Sequence, residues 1–291
     1  LRGAGPPAPE WDMIQSAKMR FKEAGGTVVE TTIRLDPAQQ TQANILRHLQ
    51  ARKFYETHTS QVLVGLLRPG DVFVDVGAHV GYYTLLARAL VGPGGRVFAF
   101  EPNPETFRML VANIAGNGYG NVHAFNCALG ARNDVATLYI NDDNEGETAL
   151  WNVTADRRFV KSRAAHRTVQ VAVTTLDEIA RDGALRGARA VKIDAEGWEL
   201  QVLAGAAEVL ERDRPRHVVC EINRGALAAT DGSEKAIRDL FRDRGYVCRL
   251  INLSGVDLCG GKSLRLLKDD EFIDTRYVFN LLFSREGGAA A

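Results

Sequence analysis

The chain has 291 residues, is 45% hydrophobic and 25% charged, and carries a formal net charge of zero. These are ordinary globular values, enough for one large domain or two small ones. A neutral balance argues against a nucleic-acid or membrane-surface partner, which usually leaves a basic excess, and no stretch approaches the ~18 apolar residues of a membrane span.

The ends, "LRGAGPPAPEW" and "EGGAAA", read as tails, with no secretory leader pattern at the start. To about Arg68 the sequence predicts coil and then helix. "QTQANILRHLQARKFYETHTSQVLVGLL" sets Ile45, Leu46, Leu49, Val62 and Leu66 at helical spacing, and "RPGD" ends it. Strands and helices then alternate: "DVFVDVG", "YYTLLARALVG", "GGRVFAFEPN", "PETFRMLVANIAGNG" and the strand "NVHAFNCALG". Each strand is a near-continuous apolar run, as in a parallel sheet covered by helices on both faces. "DVATLYI" and "VQVAVTTL" have period-two character and flank a polar stretch. That stretch reads as an insertion near the site, too short for a core of its own. The alternation resumes with "TLDEIARDGAL", "RAVKIDAEG", "WELQVLAGAAEVLER", "PRHVVCEIN" and "SEKAIRDLFRDRG", and closes with the strands "YVCRLINL" and "TRYVFNLLFS", one of them expected to be antiparallel.

The predicted organisation is an N-terminal helical appendage over residues 1–68, an α/β domain over 69–285 with an insertion at 131–175, and a tail at 286–291. Cys127, Cys220, Cys248 and Cys259 show neither C-x-x-C spacing nor a dense framework, so they read as free thiols of a cytoplasmic protein. Nothing in the sequence sets the oligomeric state, and a homodimer is compatible with it.

The chemistry concentrates in "VFVDVGAHVGYYT". A dinucleotide fingerprint needs G-x-G-x-x-G, and no register of Gly77 and Gly81 supplies it. Asp75 would repel a pyrophosphate but suits an ammonium group. Glu101 ends the next strand, where an acid accepts hydrogen bonds from ribose hydroxyls. An amino-acid-bearing nucleoside without phosphates meets both requirements, and S-adenosylmethionine is the common one.

With "FEPNPETFRMLVANI", "LDEI" and "VKIDAEGWELQVLAGA", the loop resembles the FkbM-type methyltransferases over roughly Val72 to Glu221. The resemblance implies a class I, Rossmann-like methyltransferase fold, with a mostly parallel seven-stranded sheet flanked by helices. It also implies a donor loop of Asp75, Gly77, Ala78 and Gly81, with His79 where the family often has Asn, and with Tyr82 and Thr84 following. Glu101 would bind ribose, with Pro102 and Asn103 shaping the turn, and Asn126, Cys127 and Ala128 would flank the adenine. Many members methylate hydroxyl groups of secondary metabolites or sugars, so the expected partner is a small-molecule hydroxyl, not nucleic acid or membrane.

Asp194 should end the fourth parallel strand, where it could position the acceptor, act as general base or ligate a cation. Glu196 and Glu221 lie nearby, and Glu196 could instead simply serve a helix N-terminus. Asp194 and Glu221 together could bind Mg²⁺, though a metal is not favoured. Glu56 could reach the cofactor's amino-acid end from the N-terminal helix. Of Tyr82 and Tyr83, one should face the core and the other the site. His58 and His166 are possible bases or surface histidines, and Trp151 and Trp198 can line an apolar pocket or pack in the core. Left open are N- or C-methylation on the same fold, an NAD(P)-linked oxidoreductase and a non-catalytic binding protein.

Overall fold

The computed structural model describes residues 13–22, 26–141, 144–152 and 167–285. Its first element corrects the sequence expectation of coil. Strands β1 (Gln15–Lys22) and β2 (Val28–Leu35) form an antiparallel hairpin. Met19, Phe21, Thr31, Ile33 and Leu35 are buried on one face, while Lys18 and Arg20 pair with Glu30 on the other at 2.7 and 3.0 Å. The expected continuous helix is two helices, α1 (Gln40–Gln50) and α2 (Thr57–Leu66). Arg52 and Glu56 adopt positive φ between them, a left-handed backbone no helix can continue through.

The main fold then follows in order: β3 (Val72–Val76), α3 (Tyr82–Val91), β4 (Arg96–Phe100), α4 (Pro104–Gly116) and β5 (Val122–Phe125). "NVHAFNCALG", expected as one strand, divides at Asn126–Cys127, and β6 (Ala128–Leu129) joins β7 (Asp134–Ile140) and β8 (Arg167–Thr174) in a separate three-stranded sheet. After α5 (Leu176–Ile179) and β9 (Ala188–Ile193), the helix expected over "WELQVLAGAAEVLER" stops early as α6 (Glu199–Ala204), and a wider π turn follows at Val209–Asp213. Then come β10 (His217–Ile222), α7 (Arg224–Ala229), α8 (Glu234–Arg242), β11 (Tyr246–Ile251), β12 (Leu264–Leu266) and β13 (Phe279–Arg285).

The main sheet has eight strands in the order β12-β11-β13-β10-β9-β3-β4-β5. β13 runs antiparallel to β10 and β11, whereas β10, β9, β3, β4 and β5 pair in parallel. From β5 to β11 this is the seven-stranded order of a class I methyltransferase, and β12 adds a three-residue edge. Every residue of β3 is buried, as a central strand covered on both faces requires. Among the described residues no helix is long and apolar enough to cross a membrane, and all four cysteines are free thiols.

Candidate active site

A cleft of about 710 Å³ opens at the carboxyl ends of β3, β4, β9 and β10, where open α/β sheets place their ligands. The glycine loop forms one wall. Gly77 has φ +76°, and a Cβ there would lie 1.8 Å from the Asp194 carbonyl oxygen. The glycine is therefore required by the neighbouring strand end as well as by the turn. Gly77 and Ala78 donate their N–H groups to the Phe100 carbonyl at 3.0 and 2.9 Å, which fastens the loop across β4.

Glu101 is buried at the end of β4. Its two carboxylate oxygens accept from the Asn103 and His79 backbone N–H groups, each at 2.8 Å. Burial pushes its pKa up to about 7, against those two hydrogen bonds. Asn103 caps α4 by accepting from the Glu105 N–H at 3.0 Å. Asn126 braces the same turn, donating to the Glu101 and Pro102 carbonyls at 2.8 and 3.1 Å. Pro102, Cys127 and Ala128 line the cleft, whereas Asn103 and Asn126 shape it from behind. Asp75, Gly81 and Thr84 also stand behind the wall. Asp75 is 1% exposed and accepts from the Thr84 hydroxyl at 2.6 Å.

The opposite wall gathers acids around one lysine. Lys192, on β9, is 1% exposed; its ammonium lies 2.7 Å from Asp194 and 4.7 Å from the Tyr83 ring centre. Burial opposes that charge, but Asp194, Glu56, Asp75 and Glu221 outweigh it and hold the lysine pKa above its usual value. Asp194 answers in kind. Burial works against its ionisation, yet Lys192 and a hydrogen bond with Glu221 hold it below the usual carboxylate range. Glu221 is raised well above that range by burial and by repulsion from Asp194, Glu196 and Glu56, so it carries the shared proton. Glu56 accepts from the Tyr83 hydroxyl at 2.7 Å, and burial raises its pKa against the pull of Lys192. Carboxylate oxygens of Asp194, Glu196 and Glu221 all lie within 4.8 Å of one another, close enough to share a cation, although Lys192 and the Glu221 proton already offset much of their charge.

The structure thus brings Glu56, Glu101, Asp194, Glu196 and Glu221 to one cleft, with Gly77, Ala78 and His79. Tyr82 and Tyr83 both reach its wall, with rings edge to face at 5.0 Å, where one had been expected to turn into the core. Trp151 and Trp198 line it too, and the Trp151 indole donates to the Glu196 carbonyl at 2.8 Å. His58 lies away from the cleft and contacts Ser263 at 3.3 Å. His166 falls outside the described residues.

Sequence reasoning missed Lys192, Glu145 and Glu199. Glu199 is 1% exposed and accepts from the Ala195 and Gly197 N–H groups at 3.0 and 3.1 Å, which fixes the turn carrying Asp194 and Glu196. The lysine had a signal, since a lone cation inside the apolar run "AVKID" asks for a buried partner.

Residues 75–248 match the family model for the methyltransferase FkbM domain. The chain belongs to the FkbM methyltransferase family. It is 28% identical over 203 residues to the 31-O-demethyl-FK506 methyltransferase FkbM of Streptomyces tacrolimicus, covering 62% of this chain and 74% of that protein. To the hexuronic acid methyltransferase AglP of Haloferax volcanii it is 26% identical over 155 residues, 53% of this chain and 57% of that one. Among solved structures, the methyltransferase FkbM of Methylobacillus flagellatus KT aligns over 83% of this chain and 60% of that chain. The TM-score is 0.44 and the identity 15%, a likeness too loose to add to the strand order. As an FkbM methyltransferase the chain takes S-adenosylmethionine as methyl donor. The cleft fits that donor in chemistry: an acid, Glu101, stands at the end of β4, and carboxylates exceed cations in the opposite wall, as a positively charged sulfonium and amino acid require.

Proposed function

We propose that the chain is an O-methyltransferase acting on a hydroxyl of a small molecule, a secondary metabolite or a sugar moiety. The observation that carries this reading is Asp194, a carboxylate at the end of β9 that opens to the cleft, 22% exposed, with the Lys192 ammonium 2.7 Å away holding its pKa below the usual carboxylate range. Bound S-adenosylmethionine supplies a methyl group already activated on a sulfonium. The protein has to align the acceptor oxygen with it, and approximation of this kind contributes up to ~7–11 kcal/mol.

Glu101 is the candidate to accept from ribose hydroxyls, and Gly77 and Ala78 would let the backbone pass close to the methionine portion. Glu56 and the Asp194 group offer negative charge to its ammonium, with Asp75 adding to the field from behind the loop. Asp194 is the candidate to accept the hydroxyl proton as the new bond forms. The same acids disfavour an amine acceptor, because they would hold it as an ammonium with no free lone pair. The relatives' names, one acting on demethyl-FK506 and one on hexuronic acid, support an oxygen acceptor in general terms.

The test is transfer of a labelled methyl group from S-adenosylmethionine to a panel of hydroxyl-bearing macrolides and glycosides, read by mass spectrometry. Asp194→Asn is expected to lower turnover on any accepted compound about 10²-fold or more. An unchanged rate would remove Asp194 from the mechanism, and methylation confined to amines would overturn the oxygen reading.

A further inference from the structure

The cleft is also lined by side chains that the methyl transfer described above does not use. Glu145 opens a short 3-10 turn, Glu145–Glu147, in the insertion. Its side chain is 7% exposed. Oε1 accepts from the Gln42 N–H of α1 at 3.2 Å and stands 3.6 Å from His79 Nε2, beyond hydrogen-bonding distance. Glu145 Oε2, His79 Nε2 and Thr148 Oγ1 are all buried and have no hydrogen-bond partner among the described residues. All three residues line the cleft.

Buried polar atoms in folded proteins are nearly always paired, and an unpaired one costs about 1–3 kcal/mol. Three of them in residues lining one binding cleft, two of those residues facing each other at 3.6 Å, are best explained by a ligand that completes them. Their chemistry narrows it. The carboxylate accepts hydrogen bonds, the threonine hydroxyl accepts and donates, and the imidazole offers one nitrogen of either kind. Burial holds His79 down at about 4, so the ring is neutral at physiological pH. An acceptor-rich, partly donating set matches the hydroxyl groups of a polyol. The His79 N–H already holds the Glu101 carboxylate, so this set continues from the ribose end of the cleft.

We propose that Glu145, Thr148 and His79 form a polyol subsite that hydrogen-bonds hydroxyl groups of the ligand in the cleft, an inference that rests on the methyltransferase reading of that cleft. Two ligands can supply such hydroxyls, the ribose of the methyl donor and a sugar moiety of the acceptor. The subsite exists only because α1 and the insertion meet there, with the Thr41 hydroxyl on Asn144 Oδ1 at 3.1 Å.

Calorimetry with S-adenosylhomocysteine on the wild type, Glu145→Gln and Thr148→Val separates the sources. The valine is near-isosteric, and thermal unfolding verifies that each variant is folded. A ribose role predicts affinity about tenfold weaker in both variants. If that affinity holds, the S-adenosylhomocysteine-loaded protein is probed with methyl α-D-glucopyranoside by saturation-transfer NMR. Transfer in the wild type that is lost in both variants assigns the subsite to the acceptor. Wild-type cofactor affinity together with glycoside transfer that is absent or unchanged overturns the proposal. A wild type that binds no S-adenosylhomocysteine instead removes the cofactor reading beneath it.

Discussion

In the ribose-binding role proposed for it, Glu101 makes cofactor binding depend on pH. Both of its oxygens are engaged by backbone N–H groups, yet its pKa stands at about 7. Below that value the free protein holds the group protonated, and a protonated carboxyl cannot accept from two ribose hydroxyls as well. Affinity for S-adenosylhomocysteine should therefore fall as pH drops below 7, by up to about tenfold per pH unit. Glu101→Gln should bind weakly with a flat profile, and calorimetry across pH 5–8 distinguishes the two. Lys192 acts on the other acid. Lys192→Met leaves Asp194 buried without its counter-charge, so its pKa rises and the acidic limb of the rate profile moves to higher pH. Breaking a buried pair this way costs about 3–5 kcal/mol, which chemical denaturation would detect. The acids at strand ends, Glu101, Asp194 and Glu221, were legible because a parallel sheet puts its strand ends at the ligand. Glu145 was not legible. It comes from a turn with no periodicity, and only the fold carries it to His79.

At the scale of elements, the N-terminal hairpin is docked by two asparagines, one in α4 and one capping its C-terminus. Asn113 and its neighbour one turn on, Asn117, present side-chain amides to the free edge of β2. Asn113 accepts from the Arg34 N–H at 2.7 Å and donates to its carbonyl at 3.1 Å, while Asn117 does the same to Thr32 at 2.9 and 2.6 Å. These amides complete an edge that would otherwise be open to pairing with another chain. Asn117→Ala should lower stability by about 1–3 kcal/mol, with faster hydrogen exchange confined to β2. The hairpin was partly legible: "KMRFK" and "TTIRL" alternate around Gly25 and Gly26. The polar tail before them favoured coil, and the asparagines that dock them lie some eighty residues away. The break between α1 and α2 left no Gly or Pro to mark it, because Glu56 itself takes the left-handed backbone.

For the whole molecule, the central sheet was read closely from sequence because its strands are apolar runs separated by glycine turns. Strands β7 and β8 were legible from their alternation, but the short edge strand β12 and the pairing of β6 with β8 in a separate sheet depend on long-range contacts that no local pattern encodes. The strand order sets a global expectation: S-adenosylhomocysteine at a hundredfold excess over its Kd should stabilise the protein by ~2.7 kcal/mol, and NADH should not. A thermal shift with NADH alone would contradict the assignment.

The contact between Gly77 and Asp194 has a wider consequence. The glycine loop and the end of β9 meet backbone to backbone, so closely that a Cβ on Gly77 would lie 1.8 Å from the Asp194 carbonyl oxygen. Gly77→Ala should accordingly cost more than ~3 kcal/mol and reduce turnover beyond the loss of folded protein. The spacing between the loop and the end of β9 is thus cast in the main chain, out of reach of rotamers and of the surrounding walls. Residues of α1 and the insertion, which line the cleft away from this contact, can then be exchanged without moving it, which makes this chain a fixed chemical engine with a replaceable mouth.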